Sequence, residues 1–190
     1  MTDIATPATD LAAFEDELAG GLLIDPDVQD LLFRQARTPQ YFTDTPVSEA
    51  TMRAVHDLVK WGPTGRNGQP LRIVLARSAE GRERVLRHLT PRNRVKAASA
   101  PLIAVLAIES SDPEAVESGW LQIGYFLLGV RAAGLSALPM GGCDRAGLDQ
   151  EFMAGGRHRT LLPMALGYAT EAAYRPRQPR LDYDEVVSTV

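Results

Sequence analysis

Three arginines far apart in the chain, Arg37, Arg175 and Arg177, are of the type that grips a phosphate, because a guanidinium offers several N–H donors in a fixed fork. Asn93 and Lys96 stand three residues apart and would share one face of a helical turn. A cation there would favour a ring system that gains negative charge on reduction. Two turns supply backbone at close range. Trp61-Gly62-Pro63-Thr64-Gly65-Arg66-Asn67-Gly68-Gln69-Pro70 combines prolines that fix φ with glycines that permit φ > 0, and Pro139-Met140-Gly141-Gly142 carries a double glycine. By itself the first of these suits a ligand loop or a plain helix-to-strand connection equally well. Together the four features meet the needs of flavin mononucleotide (FMN) held without a Rossmann fold.

Other chemistries find little support. The chain has no GxSxG elbow, no Walker A loop and no GxGxxG. Its three histidines, His56, His88 and His158, lack the spacing of metal ligands, so no metal is expected. Cys143 is the sole cysteine, which excludes an internal disulfide, and with no base beside it in sequence it reads as a packing residue. A formal charge of −4 gives no reason to expect nucleic acid or an anionic membrane as partner. No stretch reads as a signal peptide or a membrane span, so a reducing cytoplasm is the expected location.

At 190 residues and 45% apolar content the chain fits one domain with a sizeable core. Residues 1–28 read as an N-terminal arm with a short helix at Asp10–Leu18, and 29–190 as the folded domain. A helix is expected over Asp27–Ala36 with Val28, Leu31 and Leu32 on its apolar face. Ser48 should cap a second, whose Met52, Val55, Leu58 and Val59 form a stripe, and Ser78 a third over Ala79–Leu89. Strands are expected at Leu71–Ala76, Pro101–Ile108, Leu135–Leu138 and Leu161–Tyr168. Asn93 to Lys96 reads as a polar turn. The longest helix should run over Ala115–Ala133 and stop at Gly134, with Trp120, Leu121, Gly124, Leu127, Leu128 and Arg131 near one face and Ile123, Phe126 and Val130 widening it.

These motifs, in this order, resemble the nitroreductase family over about Leu32 to Val187. Arg37-Thr38, followed by Gln40 and Phe42, is similar to the family's first phosphate motif. Pro63, Thr64, Gly65 and Asn67, leading to Gln69-Pro70, resemble its P-S/T-x-x-N-x-Q-P loop, which reaches the flavin held mainly by the other subunit. Asn93 and Lys96 resemble the pair on the pyrimidine ring, Pro139 to Gly142 the turn under N5, and Arg175 and Arg177 the C-terminal phosphate clamp. The resemblance implies an α+β fold, with a central, mainly antiparallel sheet flanked by helices, in an intertwined homodimer. It also implies an FMN-dependent oxidoreductase that takes hydride from NADPH or NADH and passes it by a ping-pong route to a nitroaromatic, quinone, enone or aldehyde. A biosynthetic flavin dehydrogenase or oxidase, and a flavin-binding module without turnover, are the alternatives.

Within the family, Lys60 to Thr64, Ala36 to Thr38, Gly134-Leu135 and Pro179-Arg180-Leu181 are closest to the malonic semialdehyde reductase-like branch. Two departures stand out. The linker Glu109–Glu114 is too short for the helices that roof the substrate pocket in that branch, and Glu117-Ser118-Gly119 replaces the polar Arg-Asn-Ser that usually opens the central helix.

Overall fold

Leu102 to Ile108 is an unbroken apolar run because both faces of the strand it forms are covered, and all seven residues are buried. The structure, a computed structural model, describes residues 22–109 and 113–190. The helix expected at Asp10–Leu18, most of the N-terminal arm and the middle of the 109–114 linker lie outside the described residues. Strands β1 (Leu71–Ala76), β2 (Leu102–Ile108), β3 (Ser136–Pro139) and β4 (Arg159–Gly167) form one sheet in the order β1-β2-β4-β3. Every pairing is antiparallel, with Leu71 opposite Ile108, Leu102 opposite Leu166 and Ser136 opposite Gly167.

The period of two along β2 divides the core. Leu102, Ala104, Leu106 and Ile108 face α2 (Glu49–Val59) and α5 (Pro113–Ala132), meeting Met52, Val55, Ile123, Phe126 and Val130. Ile103, Val105 and Ala107 face the opposite layer, where α3 (Ala79–Leu86), α4 (Pro91–Ala97) and α6 (Arg145–Phe152) supply Val85, Leu86, Ala97 and Leu148. Each fully buried Leu or Ile contributes roughly 1.5–3 kcal/mol. Helices therefore flank an antiparallel sheet, as the α+β expectation requires. Helix α5 lies close to its neighbours because two of its residues lack side chains. A Cβ on Gly129 would come within 2.3 Å of Val59 Cγ1, and one on Gly119 within 2.4 Å of Ile108 Cγ2.

The caps follow the sequence. Ser48 accepts from Thr51 N at 2.9 Å, Ser78 from Gly81 N at 2.9 Å, and Asp144 from Gly147 N at 3.0 Å. Four local expectations change. The stretch holding Asn93 and Lys96 is helix α4, not an irregular turn, because Pro91 occupies the first helical position with its φ already fixed. The helix expected over 27–36 is instead a short α1 (Pro26–Gln29) that widens into a π-turn over Asp30–Arg34, and Val28 and Leu31 stay exposed. Helix α3 ends at Leu86, because the next residues turn away and Leu89 bridges to Cys143. On α5 the buried face is the one through Ile123, Phe126 and Val130, whereas Trp120, Leu121 and Gly124 point outward. A last short helix, α7 (Tyr183–Val186), closes an otherwise irregular tail. Among the described residues no helix is long and apolar enough to cross a membrane.

Candidate functional site

A cavity of about 350 Å³ opens at the C-terminal end of α5. Four separate pieces of chain build it: the segment after the π-turn gives Arg37 and Thr38, α5 gives Leu127, Leu128 and Arg131, β3 gives Pro139, and the tail gives Arg175, Arg177 and Arg180. Among the described residues five guanidinium groups line it and no carboxylate does. The chain as a whole is acidic, yet this cavity presents positive charge to an anion.

The arginines are held differently. Arg37 places Nη2 at 2.5 and 2.6 Å from the two carboxylate oxygens of Glu171 and lies 4.5 Å above the Tyr174 ring, which leaves Nη1 and Nε for another acceptor. Tyr174 is fixed in turn by a 2.5 Å hydrogen bond between its hydroxyl and that of Ser136. Arg177 donates through Nη2 to the Ala36 carbonyl at 3.0 Å and also to that of Arg34. Arg131 donates to the Leu31 carbonyl from Nε at 3.2 Å and Nη2 at 3.0 Å, and to the Leu135 carbonyl at 3.2 Å. Arg131 and Arg177 thus satisfy carbonyls in and just beyond the π-turn while they form the cavity wall. Arg175 makes no hydrogen bond or ion pair among the described residues. It is the guanidinium most free to meet a ligand.

Lys96 belongs to the same region. Burial first, then the charges of Arg92 and Arg175, hold its ammonium below its ordinary value. Asn93, one turn earlier on α4, donates its side-chain amide to the Gly142 carbonyl at 3.1 Å, and Thr90 N donates to the same oxygen at 3.1 Å. The glycine turn is thereby suspended from the start of α4. A Cβ on Gly141 would meet nothing within 4 Å, so open space lies over that residue, whereas one on Gly142 would press on Asn93 and Thr90. Met140 has a different part to play: its side chain is fully buried in the core, and only its backbone faces the turn, tied by N–H to the Pro163 carbonyl at 3.0 Å. Gln40 N donates to the Ala173 carbonyl at 2.8 Å, and Gln40 does not line the cavity. Burial pushes the Cys143 thiol up, which suits packing and not nucleophilic attack.

The loop with Pro63, Thr64, Gly65 and Asn67 stands elsewhere. Gly65 N donates to Ser118 Oγ at 3.0 Å, near the start of α5, while Arg131 marks the cavity near its end. Thirteen residues of helix separate them, about 20 Å at 1.5 Å per residue. One chain therefore does not bring this loop to its own cavity. The loop also obtains its shape in an unexpected way. Its positive φ values fall on Arg66 (51°), Asn67 (56°) and Gln69 (44°), and on none of its glycines. Gly62 is required for space, since a Cβ would lie 2.8 Å from the Tyr125 ring, whereas one on Gly65 would meet the movable end of Glu114 at Oε1.

Sequence reasoning passed over Arg131, read as part of a helix face, and gave Arg180 no place in the site. The sequence marks Ser118 as a departure from the usual helix start, and the structure makes it a contact of Gly65. No spacing rule flags these three: Arg131 meets Leu31 and Ser118 meets Gly65 across long stretches of chain, and Arg180 reaches the cavity only through the course of the folded tail. Among the described residues no cluster of His, Cys, Asp and Glu is arranged to hold a metal ion.

Fold and cavity define an α+β protein with a strongly cationic anion site beside a glycine turn. Residues 33–109 match the Nitroreductase family. A protein of Streptomyces griseus, provisionally named NADH dehydrogenase/NAD(P)H nitroreductase, is 44% identical over 195 residues, which span 89% of this chain and 99% of that protein. The chain belongs to the nitroreductase family. Its fold is similar to that of a provisionally named nitroreductase from Exiguobacterium sibiricum solved in complex with FMN, with a TM-score of 0.78 at 14% identity, over 87% of this chain and 98% of the other. It is also similar to a gut-bacterial enone reductase, with a TM-score of 0.77 at 15% identity, over 88% and 100%.

Proposed function

We propose that this chain is an FMN-dependent oxidoreductase that draws electrons from NADPH or NADH and reduces a small organic acceptor by a ping-pong route. The observation that carries this reading is the single cavity into which Arg37, Thr38, Pro139, Arg175 and Arg177 converge, with Lys96 in electrostatic reach of Arg175 and open space over Gly141. These residues fit the cofactor. A phosphate monoester needs guanidinium donors in a site without carboxylates, and a flat ring needs backbone it can approach closely.

Bound FMN would supply two-electron hydride exchange between donor and acceptor. The chain's own residues do the rest. Arg37 and Arg175 hold the phosphate, and the Thr38 hydroxyl adds a neutral donor. Lys96 places positive charge where negative charge grows on reduction. Asn93 and Thr90 N fix the Gly142 carbonyl and so hold the 141–142 turn in one place. Among the described residues no side chain lining the cavity forms an acid/base dyad, so solvent is the proton source.

The acceptor class of nitroaromatics, quinones, enones and aldehydes is part of this reading, and so is the likeness to the malonic semialdehyde reductase-like branch with its shortened lid. The homodimer belongs to it as well. The loop at 63–67 lies about 20 Å along α5 from the cavity of its own chain, and Trp61, Trp120 and Leu121 are exposed nearby at 81%, 45% and 46%. A second copy related by a two-fold axis covers those side chains and receives the loop. The division of the chain into residues 1–28 and a domain over 29–190, and a cytoplasmic location, belong to the same reading.

The absorption spectrum of the purified protein, recorded before and after NADPH under argon, is the test. The expected result is a flavin spectrum that bleaches on addition. Protein that neither carries FMN nor takes it up when offered would end this reading. In analytical ultracentrifugation, a monomer that retains stoichiometric FMN would end the dimer.

A further inference from the structure

One stripe along α5 bears on the whole 62–71 loop. Tyr125 covers Gly62, Ser118 Oγ accepts from Gly65 N at 3.0 Å, and Gln122 Oε1 accepts from Leu71 N at 3.0 Å. Ser118 and Gln122 are one helical turn apart, so their side chains project on the same side. Both act as acceptors, and they take the backbone N–H groups at the two ends of the strained piece.

Between those two points lie Arg66, Asn67 and Gln69, all in the left-handed region. Left-handed backbone is unfavourable for residues other than glycine, and less so for Asn. The bonds inside the loop are few and local: Gly68 N to the Gly65 carbonyl at 2.9 Å, Asn67 N to the Thr64 carbonyl at 3.1 Å, Gln69 N to Thr64 Oγ1 at 3.2 Å and Gln69 Nε2 to the Asn67 carbonyl at 3.3 Å, with Arg72 Nη1 donating to the Gln69 carbonyl at 2.8 Å from the strand that follows. Strain of this kind persists only where the surroundings over-determine it. Here the surroundings are α5. Ser118 is buried and Gln122 half-buried, so neither bond competes freely with water.

We infer that Ser118 and Gln122 are positioning residues that hold the strained Gly65–Gln69 backbone in the shape needed to complete the cofactor site of a second copy of this chain. The inference rests on the flavin reading above, and it adds a role for two residues that do not line the arginine cavity. Their influence is exerted in trans. The same helix that ends in one site at Arg131 sets, near its start, the loop delivered to the other site.

The test pairs Ser118→Ala/Gln122→Met with Gln122→Glu, which keeps an oxygen acceptor at that point. In the apo protein, amide hydrogen exchange at Gly65 and Leu71 should rise about tenfold or more in the double variant, with the far-ultraviolet spectrum unchanged, and FMN should bind about tenfold more weakly. Gln122→Glu should retain the protection at Leu71. Mixed dimers give the decisive arm: subunits with Arg37→Ala/Arg175→Ala are combined with Ser118→Ala/Gln122→Met subunits. If the loop acts in trans, both defects fall in one site, and the mixed dimer keeps one site of wild-type affinity. Two weakened sites would overturn the inference, as would wild-type exchange and FMN affinity in the double variant, or Gln122→Glu losing the protection at Leu71 as the double variant does. Wild-type protein that takes up no FMN at all would instead remove the flavin reading on which this one rests.

Discussion

Asn93 and Gly142 lie 49 residues apart, and the side-chain amide of the first donates to the carbonyl of the second across 3.1 Å. This bond links α4, which also carries Lys96, to the glycine turn beside the cavity. Asn93→Ala leaves the carbonyl with Thr90 N alone and should cost about 1 kcal/mol. For a chain of this size that is a fall of about 2–4 °C in Tm. Gly142→Ala should cost more, because its Cβ would lie 3.0 Å from both Asn93 Nδ2 and Thr90 Oγ1. Thermal unfolding of both variants, read beside flavin retention, checks this. Unchanged melting in both would mean that the turn is held by other contacts.

Arg175 and Arg177 should separate in their effects. Arg175 has no hydrogen-bond partner among the described residues, so Arg175→Ala should weaken FMN by about 1.5–3 kcal/mol and leave the apo protein's Tm where it was. Arg177 also ties the tail to the Arg34 and Ala36 carbonyls, so Arg177→Ala should lower both affinity and Tm. The double variant should lose about 2–5 kcal/mol of flavin affinity. Calorimetric titration with FMN makes the comparison, and equal losses of Tm in the two single variants would contradict it.

The ammonium of Lys96 is held below its ordinary 10.5 by burial, then by Arg92 and Arg175. A lysine with a depressed folded pKa binds its proton less tightly in the native state than in the unfolded chain. It therefore costs stability below that pKa, and the cost is relieved as pH rises toward 10.5. Apo Lys96→Met should be at least as stable as wild type at neutral pH, with the difference shrinking in alkali. With flavin bound, the same variant should show a lower reduction potential and slower reduction by NADPH. An unchanged midpoint in photoreduction would leave Lys96 without a role in the chemistry.

Hydrogen bonds from Arg84 first, then His88, hold the Glu151 carboxyl below its usual 4.5, with His88 Nε2 at 2.6 Å. A depressed carboxylate gives stability that is present above the unfolded value and lost as pH falls through the folded one. Acid unfolding of wild type should therefore carry a component below pH 4.5 that Glu151→Gln lacks. Superimposable acid-unfolding curves, once corrected for their stability at neutral pH, would show that the Arg84–Glu151–His88 contact contributes nothing.

Much of the fold was legible in the chain. The unbroken apolar run of β2, the Ser caps at 48 and 78 and the stop at Gly134 are local signals, set by side-chain polarity and backbone preference within a few residues. The motif order was legible for the same reason, and it pointed to the family. Local pattern did not show which face of α5 is buried, since Trp120, Leu121 and Gly124 are as apolar as Ile123, Phe126 and Val130. Packing against α2 and the sheet decided between them, through the close approach at Gly129 and Gly119. Nor did residue type reveal the backbone of the 63–70 loop: glycine permits positive φ, but Gly62 is there for space beside Tyr125, and the strain falls on Arg66, Asn67 and Gln69. Ser118 and Gln122 gained their place only when the chain brought Gly65 and Leu71 beside them. The arginines and the two turns were legible in the sequence as residue types, but the separation of the 63–70 loop from the arginine cavity was decided by the length of α5, which lies between them in one chain.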